Sequence, residues 1–116
     1  MKDCIFCKIA AKEIPATIVY EDETVMAFRD LDPQAPTHIL LIPKVHVENV
    51  AGLAALNDNG KLAGHIMEVA AKIAADLGLA DEGWRLVSNT GDNGGQSVPH
   101  LHFHVLGGRK MLWPPG

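Results

Sequence analysis

Residues 94–109 read GGQSVPHLHFHVLGGR, and the seven letters HLHFHVL at positions 100–106 decide how the chain folds. Histidine occupies every second position there, and apolar residues stand between and after the histidines. Successive side chains of an extended strand point to opposite faces, so the three imidazoles share one face while Leu101, Phe103 and Val105 share the other. A slip of one residue would bury the imidazoles and expose the apolar side chains. The pattern therefore fixes the register of this strand.

Apolar patterning elsewhere predicts the rest of an α+β domain. The alternation in ATIVYED (16–22) and TVMAFRD (24–30) predicts a hairpin, and THILLIP (37–43) and GWRLVSN (83–89) predict two further strands. One long helix is predicted over residues 59–78, and TGDNGG before the histidines is predicted as a turn. The apolar face of that helix comprises Leu62, Ile66, Val69, Ala70, Ile73 and Leu77, with Asp58 or Asn59 as candidate N-cap and Gly78 past its end. We expect a single antiparallel sheet of about five strands with the long helix on it.

Length and charge limit the classes of function. The 116 residues suit one domain over 1–116, and a net charge of −4 argues against a protein that grips nucleic-acid backbone. The chain has no apolar run long enough for a secretory signal or a membrane span. We expect a cytoplasmic protein with no membrane and no nucleic-acid partner.

The histidine face has two chemical interpretations. Histidines at alternate positions of a strand can present two ligands to a metal ion. They can also provide a nucleophile and an acid–base group, because an imidazole titrates near pH ~6.5. The Gly-rich turn with Ser97 just upstream favours the second interpretation, since glycines let successive backbone N–H groups converge on phosphate oxygens.

Several segments of the chain are similar to one family. HLHFHVL resembles the signature of the histidine triad superfamily, and the whole chain is most similar to its Hint branch, the purine nucleoside phosphoramidate hydrolases. The segments that carry the resemblance include CIFCKI (4–9), AFRDLDPQAPTH (27–38), NGGQSVP (93–99) and WPPG (113–116). The resemblance implies the same α+β fold with a short N-terminal helix, and a homodimer whose two sheets join into one.

The resemblance also implies roles for individual residues. His102 would attack the α-phosphorus and form a nucleotidyl-histidine that water then hydrolyses. His104 would hydrogen-bond the phosphate or the leaving group, and His38 would orient the site. Asn89, Gly95 and Ser97 would contact phosphate, Asp30 the ribose hydroxyls with Leu31 beside it, and Ile5, Phe6, Ile9 and Phe28 the purine base. Trp113 of one subunit would act at the site of the other.

Cys4 and Cys7 have the spacing of half a tetrahedral zinc site. Two spare thiols and a thioredoxin-type redox pair are the other interpretations, and the latter is disfavoured because no strand precedes the pair. The resemblance implies a structural zinc completed by His46 and His100, with no cofactor needed for catalysis. His65, in the long helix, is given no role.

Three functions follow from these observations. The first is an enzyme that hydrolyses nucleoside phosphoramidates, or acyl and aminoacyl adenylates, to the nucleoside monophosphate. The second is a metallohydrolase whose catalytic metal is held by triad histidines, although nearby carboxylates are too few to complete a ligand set. The third is a nucleotide-binding regulator with slow, incidental catalysis.

Overall fold

A computed structural model describes residues 3–116 and confirms the α+β architecture. Five strands form one antiparallel sheet in the order β1-β2-β3-β5-β4. The elements are α1 (Ile5–Ala10), β1 (Ile18–Glu21), β2 (Val25–Arg29), β3 (Thr37–Pro43), α2 (Val50–Ala54), α3 (Lys61–Asp76), β4 (Trp84–Val87), α4 (Gly91–Gly94) and β5 (Phe103–Gly107). Between residues 3 and 116, the helices are too short or too polar to cross a bilayer.

The long helix α3 covers one face of the sheet. Of its predicted apolar face, Ile66, Val69, Ala70 and Ile73 are buried, whereas Leu62 and Leu77 are partly buried. This face packs in one core with Leu101, Phe103 and Val105, the apolar side chains between and after the histidines. Asp58 supports the start of the helix, as its carboxylate accepts the N–H groups of Gly60 and Leu62. The apolar alternate positions face the helix as predicted, but the opposite face is not open to solvent, because His100 and His102 are buried as well.

The short helix α1 covers the opposite face of the sheet, where the imidazoles lie. Phe6 and Ile9 of this helix join a second core with residues of β2 and β3: Met26, Phe28, Leu40 and Ile42. The first turn is anchored by Cys4, whose sulfur accepts the N–H of Cys7. The imidazoles of His100 and His102 therefore lie against Phe6, between the sheet and α1.

The structure corrects two boundaries around the histidines. Strand β5 begins at Phe103 instead of His100, because the N–H of Leu101 donates to the carbonyl of Val47 in the loop after β3 and residues 100–102 run outside the ladder. The TGDNGG stretch is the short helix α4, ended by Gly95 at φ +76°, instead of a simple turn. The first two imidazoles are thus carried on an irregular segment whose orientation the strand pattern does not dictate.

The end of β5 meets the loop between β2 and β3. Gly108 adopts φ +91°, and a Cβ built there would lie 2.9 Å from the Cβ of Pro36. Because neither the conformation nor the space admits a side chain, glycine lets the chain after β5 lie directly against the 30–36 loop. This approach brings Arg109 over the loop.

Candidate active site and metal cluster

A cavity of about 310 Å³ opens between α1 and the histidine face. Nine residues predicted to bind nucleotide or to catalyse line it together: Ile5, Phe6, Ile9, Phe28, Asp30, Leu31, Ser97, His102 and His104. Apolar side chains from α1 and β2 form one wall, and the imidazoles, Ser97 and the Asp30 carboxylate supply polar groups. The cavity thus combines an apolar surface suited to an aromatic base with a few polar groups.

The imidazole of His102 is held with one nitrogen available. Its Nδ1 lies 2.8 Å from the carbonyl oxygen of His100, so Nδ1 carries the hydrogen and donates it. Nε2 of the neutral ring then keeps its lone pair. The ring is 4% exposed and packs edge-on against Phe6, with centroids 5.1 Å apart. A buried imidazole with a fixed tautomer and a lone pair at the cavity is suited to nucleophilic attack.

His104 and His38 form a directional chain of hydrogen bonds. The backbone N–H of Gln34 donates to Nδ1 of His38 over 3.0 Å, so the neutral His38 carries its hydrogen on Nε2. That Nε2 lies 2.8 Å from Nδ1 of His104 and donates to it. His104 therefore carries its hydrogen on Nε2, which is buried and has no hydrogen-bond partner among residues 3–116. A buried donor without a partner beside a cavity points to a ligand that completes it.

Burial keeps both members of this chain uncharged. Desolvation, together with the neighbouring His102 and His38, lowers the pKa of His104 to about 4, although the Asp30 carboxylate opposes the shift. Desolvation also lowers the pKa of His38, although the carboxylates of Asp30 and Asp32 oppose the shift. The Asp30 carboxylate oxygen is 3.4 Å from Nε2 of His38, a contact that becomes an ion pair only when His38 is protonated. At neutral pH the two rings are neutral, as the tautomer assignment requires.

Four predicted site residues do not line the cavity. His38 is buried behind His104, whereas Asn89 precedes α4 and Gly95 ends it. Trp113 is 83% exposed in the C-terminal tail, which is tied to the domain by a hydrogen bond of 3.0 Å from Arg85 to the Leu112 carbonyl. Phosphate contacts by Asn89 and Gly95, and a role for Trp113, stay predictions.

Sequence reasoning missed three contributors to the site. The segment 14–17 and Leu40 complete the apolar wall. The side chain of Gln96 connects the start of α4 to the loop between β3 and α2. It accepts a hydrogen bond from the N–H of Gly91 and donates to the carbonyls of Glu48 and Val98. The backbone N–H of Gln34 sets the tautomer of His38. Only the EIPA motif at 13–16 offered a signal in the sequence, and it is weak by itself.

Cys4, Cys7, His46 and His100 converge on one point at the start of α1. Their ligand atoms all lie within 4.8 Å of one another. Nδ1 of His100 is 3.2 Å from the Cys4 sulfur and 3.5 Å from the Cys7 sulfur, and Nδ1 of His46 is 3.3 Å from the Cys7 sulfur. Tetrahedral zinc with bonds of about 2.0–2.3 Å separates its ligands by about 3.3–3.8 Å. The four residues can therefore hold a metal ion.

The surroundings of this cluster fit a metal as well. Nε2 of His100 donates to the Pro43 carbonyl over 2.9 Å, which leaves Nδ1 unprotonated and turned to the sulfurs. Burial, and then the contact with Cys4, raises the pKa of the Cys7 thiol to about 11. A bound divalent cation supplies the positive charge that thiolates need. Two sulfurs with two imidazole nitrogens are a ligand set that zinc prefers.

A second set of possible ligands, Asp30, His38 and His104, is less suited to a metal. The atoms lie within 4.8 Å of one another. However, Nε2 of His38 and Nδ1 of His104 are 2.8 Å apart and share one hydrogen, so they cannot both offer a lone pair without breaking the chain. This geometry favours a hydrogen-bond relay over a catalytic metal.

His65 lies at a different cavity, of about 780 Å³. Its Nε2 is 2.6 Å from the Asp22 carboxylate, which also accepts from the Tyr20 hydroxyl. Nearby, Lys44 pairs with Glu21. The charged groups of this region mostly pair with one another, and neither the relay histidines nor the metal cluster lines this cavity.

Comparison with known proteins gives consistent matches along the chain. The model of the HIT domain family matches residues 11–111. The chain is 55% identical to a 14 kDa zinc-binding protein of Zea mays, over 97% of this chain and 87% of that one. It is 48% identical to the purine nucleoside phosphoramidase of Escherichia coli, over 95% of this chain and 91% of that one. Among solved structures, a HIT family hydrolase from Legionella pneumophila superimposes with a TM-score of 0.92 at 51% identity, covering 98% of this chain and all of that one.

Proposed function

Because the chain belongs to the HIT domain family, in which hydrolases are found, we propose that it hydrolyses purine nucleoside 5′-phosphoramidates, and acyl or aminoacyl adenylates, to the nucleoside monophosphate. One observation carries the proposal: the hydrogen bonds of two imidazoles at the same cavity select complementary tautomers of their uncharged rings. His102 offers the Nε2 lone pair and His104 the Nε2 hydrogen. Attack on phosphorus needs a nucleophile and a donor for developing negative charge, and this pair supplies both.

The reaction proceeds in two steps through His102. In the first, Nε2 forms a bond to the α-phosphorus, the bond from phosphorus to the amine nitrogen breaks, and the amine takes one proton from water. In the second, the remaining hydroxide oxygen bonds to phosphorus and the bond to Nε2 breaks, which releases the monophosphate and restores the neutral ring. The hydrogen on Nε2 of His104 stabilises the phosphoryl oxygens or the leaving group in both steps.

The cavity wall suggests how the nucleoside is held. The base would lie against Ile5, Phe6, Ile9 and Phe28, and the ribose hydroxyls would donate to Asp30 near Leu31. Ser97 lines the same cavity and would contact phosphate, with Asn89 and Gly95 as further contacts from the α4 region. An apolar cleft with few polar groups gives purine binding most of its energy through burial.

We further propose that the protein acts as a cytoplasmic homodimer. Leu112 and Trp113 are 74% and 83% exposed in the single chain. Two adjacent large apolar side chains in that position are suited to cover a partner's surface. The resemblance to the Hint branch implies a homodimer in which this tail would lie near the other subunit's cavity, and Trp113 would act there.

Zinc is the metal we propose for the cluster of Cys4, Cys7, His46 and His100. When bound it supplies a structural cross-link and takes no part in the phosphoryl chemistry. The link would tie α1, which provides the base wall, to the segment that carries His102. Among relatives, the protein from Zea mays has zinc binding in its name.

Release of AMP from adenosine 5′-phosphoramidate tests this function. We expect wild-type protein and His65→Ala to release AMP at equal rates, with or without EDTA during the assay, and His102→Ala to release none above background. His65 is the matched control, because it is a histidine paired with Asp22 outside the cavity. Release that stops immediately on adding EDTA would indicate a catalytic metal instead. Release by wild-type protein no faster than the uncatalysed rate would indicate a nucleotide-binding regulator.

A further inference from the structure

Arg109 is the last residue of the histidine segment, and the proposed reaction leaves it without a role. Its side chain is exposed, yet its guanidinium makes an ordered contact. Nε and Nη2 both donate to the carbonyl oxygen of Gln34, over 3.1 and 2.9 Å, and Nη1 donates to the Lys110 carbonyl over 3.2 Å. Two N–H groups of one planar guanidinium that converge on a single carbonyl oxygen restrict the position of that oxygen more than one donor would. Arg109 thus holds one peptide of the 30–36 loop.

The residue that Arg109 holds also controls the relay. The carbonyl of Gln34 faces the guanidinium, whereas its N–H faces Nδ1 of His38 at 3.0 Å. Pro33 and Pro36 flank this residue and limit the conformations of the loop. The close approach of Gly108 to Pro36 places Arg109 above the loop. A guanidinium at the surface is therefore connected to a buried imidazole through a single residue.

The direction of hydrogen bonding in the relay depends on the Gln34 N–H. A neutral imidazole has two tautomers, and a donor aimed at Nδ1 of His38 selects the one with hydrogen on Nε2. If that donor is displaced, His38 can carry its hydrogen on Nδ1, and its Nε2 becomes an acceptor toward His104. The hydrogen of His104 then moves to Nδ1, and the cavity meets a lone pair where it had a donor.

Other charged groups around His38 act in the same sense. The Asp30 carboxylate, 3.4 Å from Nε2 of His38, also favours hydrogen on that nitrogen. The Asp32 carboxylate is the second negative charge that raises the pKa of His38. On the other side of the relay, the ring of His102 lies beside His104, with centroids 5.1 Å apart. The contact from Asp30 is 3.4 Å long and the one from Gln34 is 3.0 Å, so the backbone N–H is the closer of the two constraints on His38.

We propose that Arg109 is a positioning residue: by holding the carbonyl of Gln34 it fixes the conformation of that residue, and so the direction of the Gln34 N–H in the preceding peptide. This N–H sets the tautomer of His38 and keeps the hydrogen of His104 on Nε2, the ring nitrogen left without a partner among residues 3–116. The effect on catalysis rests on the proposed function, whereas the effect on the tautomers does not. The tautomers can therefore be measured on the free protein, without substrate.

Histidine ring ¹⁵N NMR of the full-length protein tests the proposal directly. We expect wild-type His38 and His104 to give the signature of hydrogen on Nε2. Arg109→Ala should give a mixture of tautomers at both rings, and Gln34→Pro, which removes the N–H itself, should give a larger change. Arg109→Lys keeps the charge but lacks the planar pair of donors, so its spectrum should lie between wild type and Arg109→Ala. Lys72→Ala, which removes an exposed cation paired with Asp76, is the matched control and should match wild type.

Kinetics with adenosine 5′-phosphoramidate provide the second measurement. Loss of an oriented donor to the phosphoryl group should lower kcat by about tenfold in Arg109→Ala and change KM by less than about twofold. Melting curves for all variants separate this from unfolding. Wild-type tautomers in Arg109→Ala would overturn the proposal whatever the spectrum of Gln34→Pro, as would a lower Tm of Arg109→Ala with unchanged tautomers and kcat. If the tautomers change as expected but wild-type protein releases no AMP, the inference about the relay holds and the proposed function fails.

Discussion

The metal cluster and the catalytic cluster both take imidazoles from residues 100–104, but they use opposite nitrogens of the ring. In the metal cluster, the backbone carbonyl of Pro43 accepts a hydrogen bond from Nε2 of His100, and Nδ1 faces the sulfurs. In the cavity, the carbonyl of His100 accepts a hydrogen bond from Nδ1 of His102, and the lone pair on Nε2 is available to react. Histidines at alternate positions are therefore not equivalent. The ring nitrogen that a backbone carbonyl occupies decides which nitrogen can act.

The clusters also differ in how their atoms are arranged. Four ligand atoms converge on one point near Cys4 and Cys7, a geometry that a central cation satisfies. In contrast, the contacts from Gln34 through His38 to His104 run in one direction and end at a donor in the cavity. One arrangement stabilises a fixed structure, and the other presents a hydrogen to a ligand. Selective substitutions can test this division.

The largest effect is expected for His102→Ala. Loss of the nucleophile should lower kcat by at least about 10³-fold, because among residues 3–116 no other cavity side chain offers a comparable lone pair. Although loss of this buried ring should lower the melting temperature, zinc content should stay close to wild type, since His102 belongs only to the catalytic cluster. Turnover and elemental analysis on the same preparation check both. Parallel loss of zinc would show that the clusters are one unit.

The converse change is the double substitution Cys4→Ser, Cys7→Ser. We expect loss of bound zinc and a decrease in stability of about 3 kcal/mol, which corresponds to about 10 °C in Tm. Elemental analysis and thermal melts measure the two quantities, with His65→Ala as a control for substitution outside both clusters. If the double variant retains stoichiometric zinc, the assigned ligand set is wrong.

Acidification should weaken the fold through the relay. The pKa of His104 is lowered to about 4 in the folded chain, below its ordinary value, so the unfolded chain binds a proton first as pH falls. Stability should therefore be full above pH ~6.5 and decrease toward pH ~4, by up to about 3 kcal/mol from this residue. His38, whose pKa is also lowered, adds to the loss. Urea unfolding across this range measures it, and His104→Asn should give a flatter profile. A wild-type profile without slope in that window would contradict the burial argument.

The smallest effect is expected for Trp113→Ala, outside both clusters. Its side chain is exposed in the single chain, so Tm at low protein concentration should not change. If the tail covers a partner's cavity, KM should rise by about twofold to fivefold with little change in kcat. Steady-state kinetics above and below the dimer dissociation range measure this. An unchanged KM at every concentration would place the tail outside the nucleotide site.

Periodic residues made most of the fold predictable. The apolar face of α3 and the alternating strands follow from regular side-chain spacing, and the sheet and helix lie where those patterns put them. The start of β5 was placed too early because His100 and His102 continue the alternation without joining the ladder. Alternation reports which way side chains point, not whether the backbone pairs.

The site was predictable only where side-chain identity carries the role. The cysteines and the histidines were found as candidates, because sulfur and imidazole are few and their spacing is characteristic. The tautomers were not predictable, since they depend on the Gln34 N–H and on the carbonyls of Pro43 and His100. Backbone carbonyls occur at every residue and backbone N–H groups at every residue except proline. The sequence therefore does not indicate which of them orient the imidazoles.

Phe6 lines the nucleotide cavity and also lies between the two histidine clusters, without being a metal ligand or a reacting group. Its ring is edge-on to His100, with centroids 5.9 Å apart, and edge-on to His102 at 5.1 Å. In genetic terms, substitutions at this position are pleiotropic. A screen for proteins that lose zinc and a screen for proteins that lose turnover would both recover Phe6, although it neither ligates nor reacts. Only paired phenotypes, compared with those of Cys7 and His102, would assign it to the contact between the clusters.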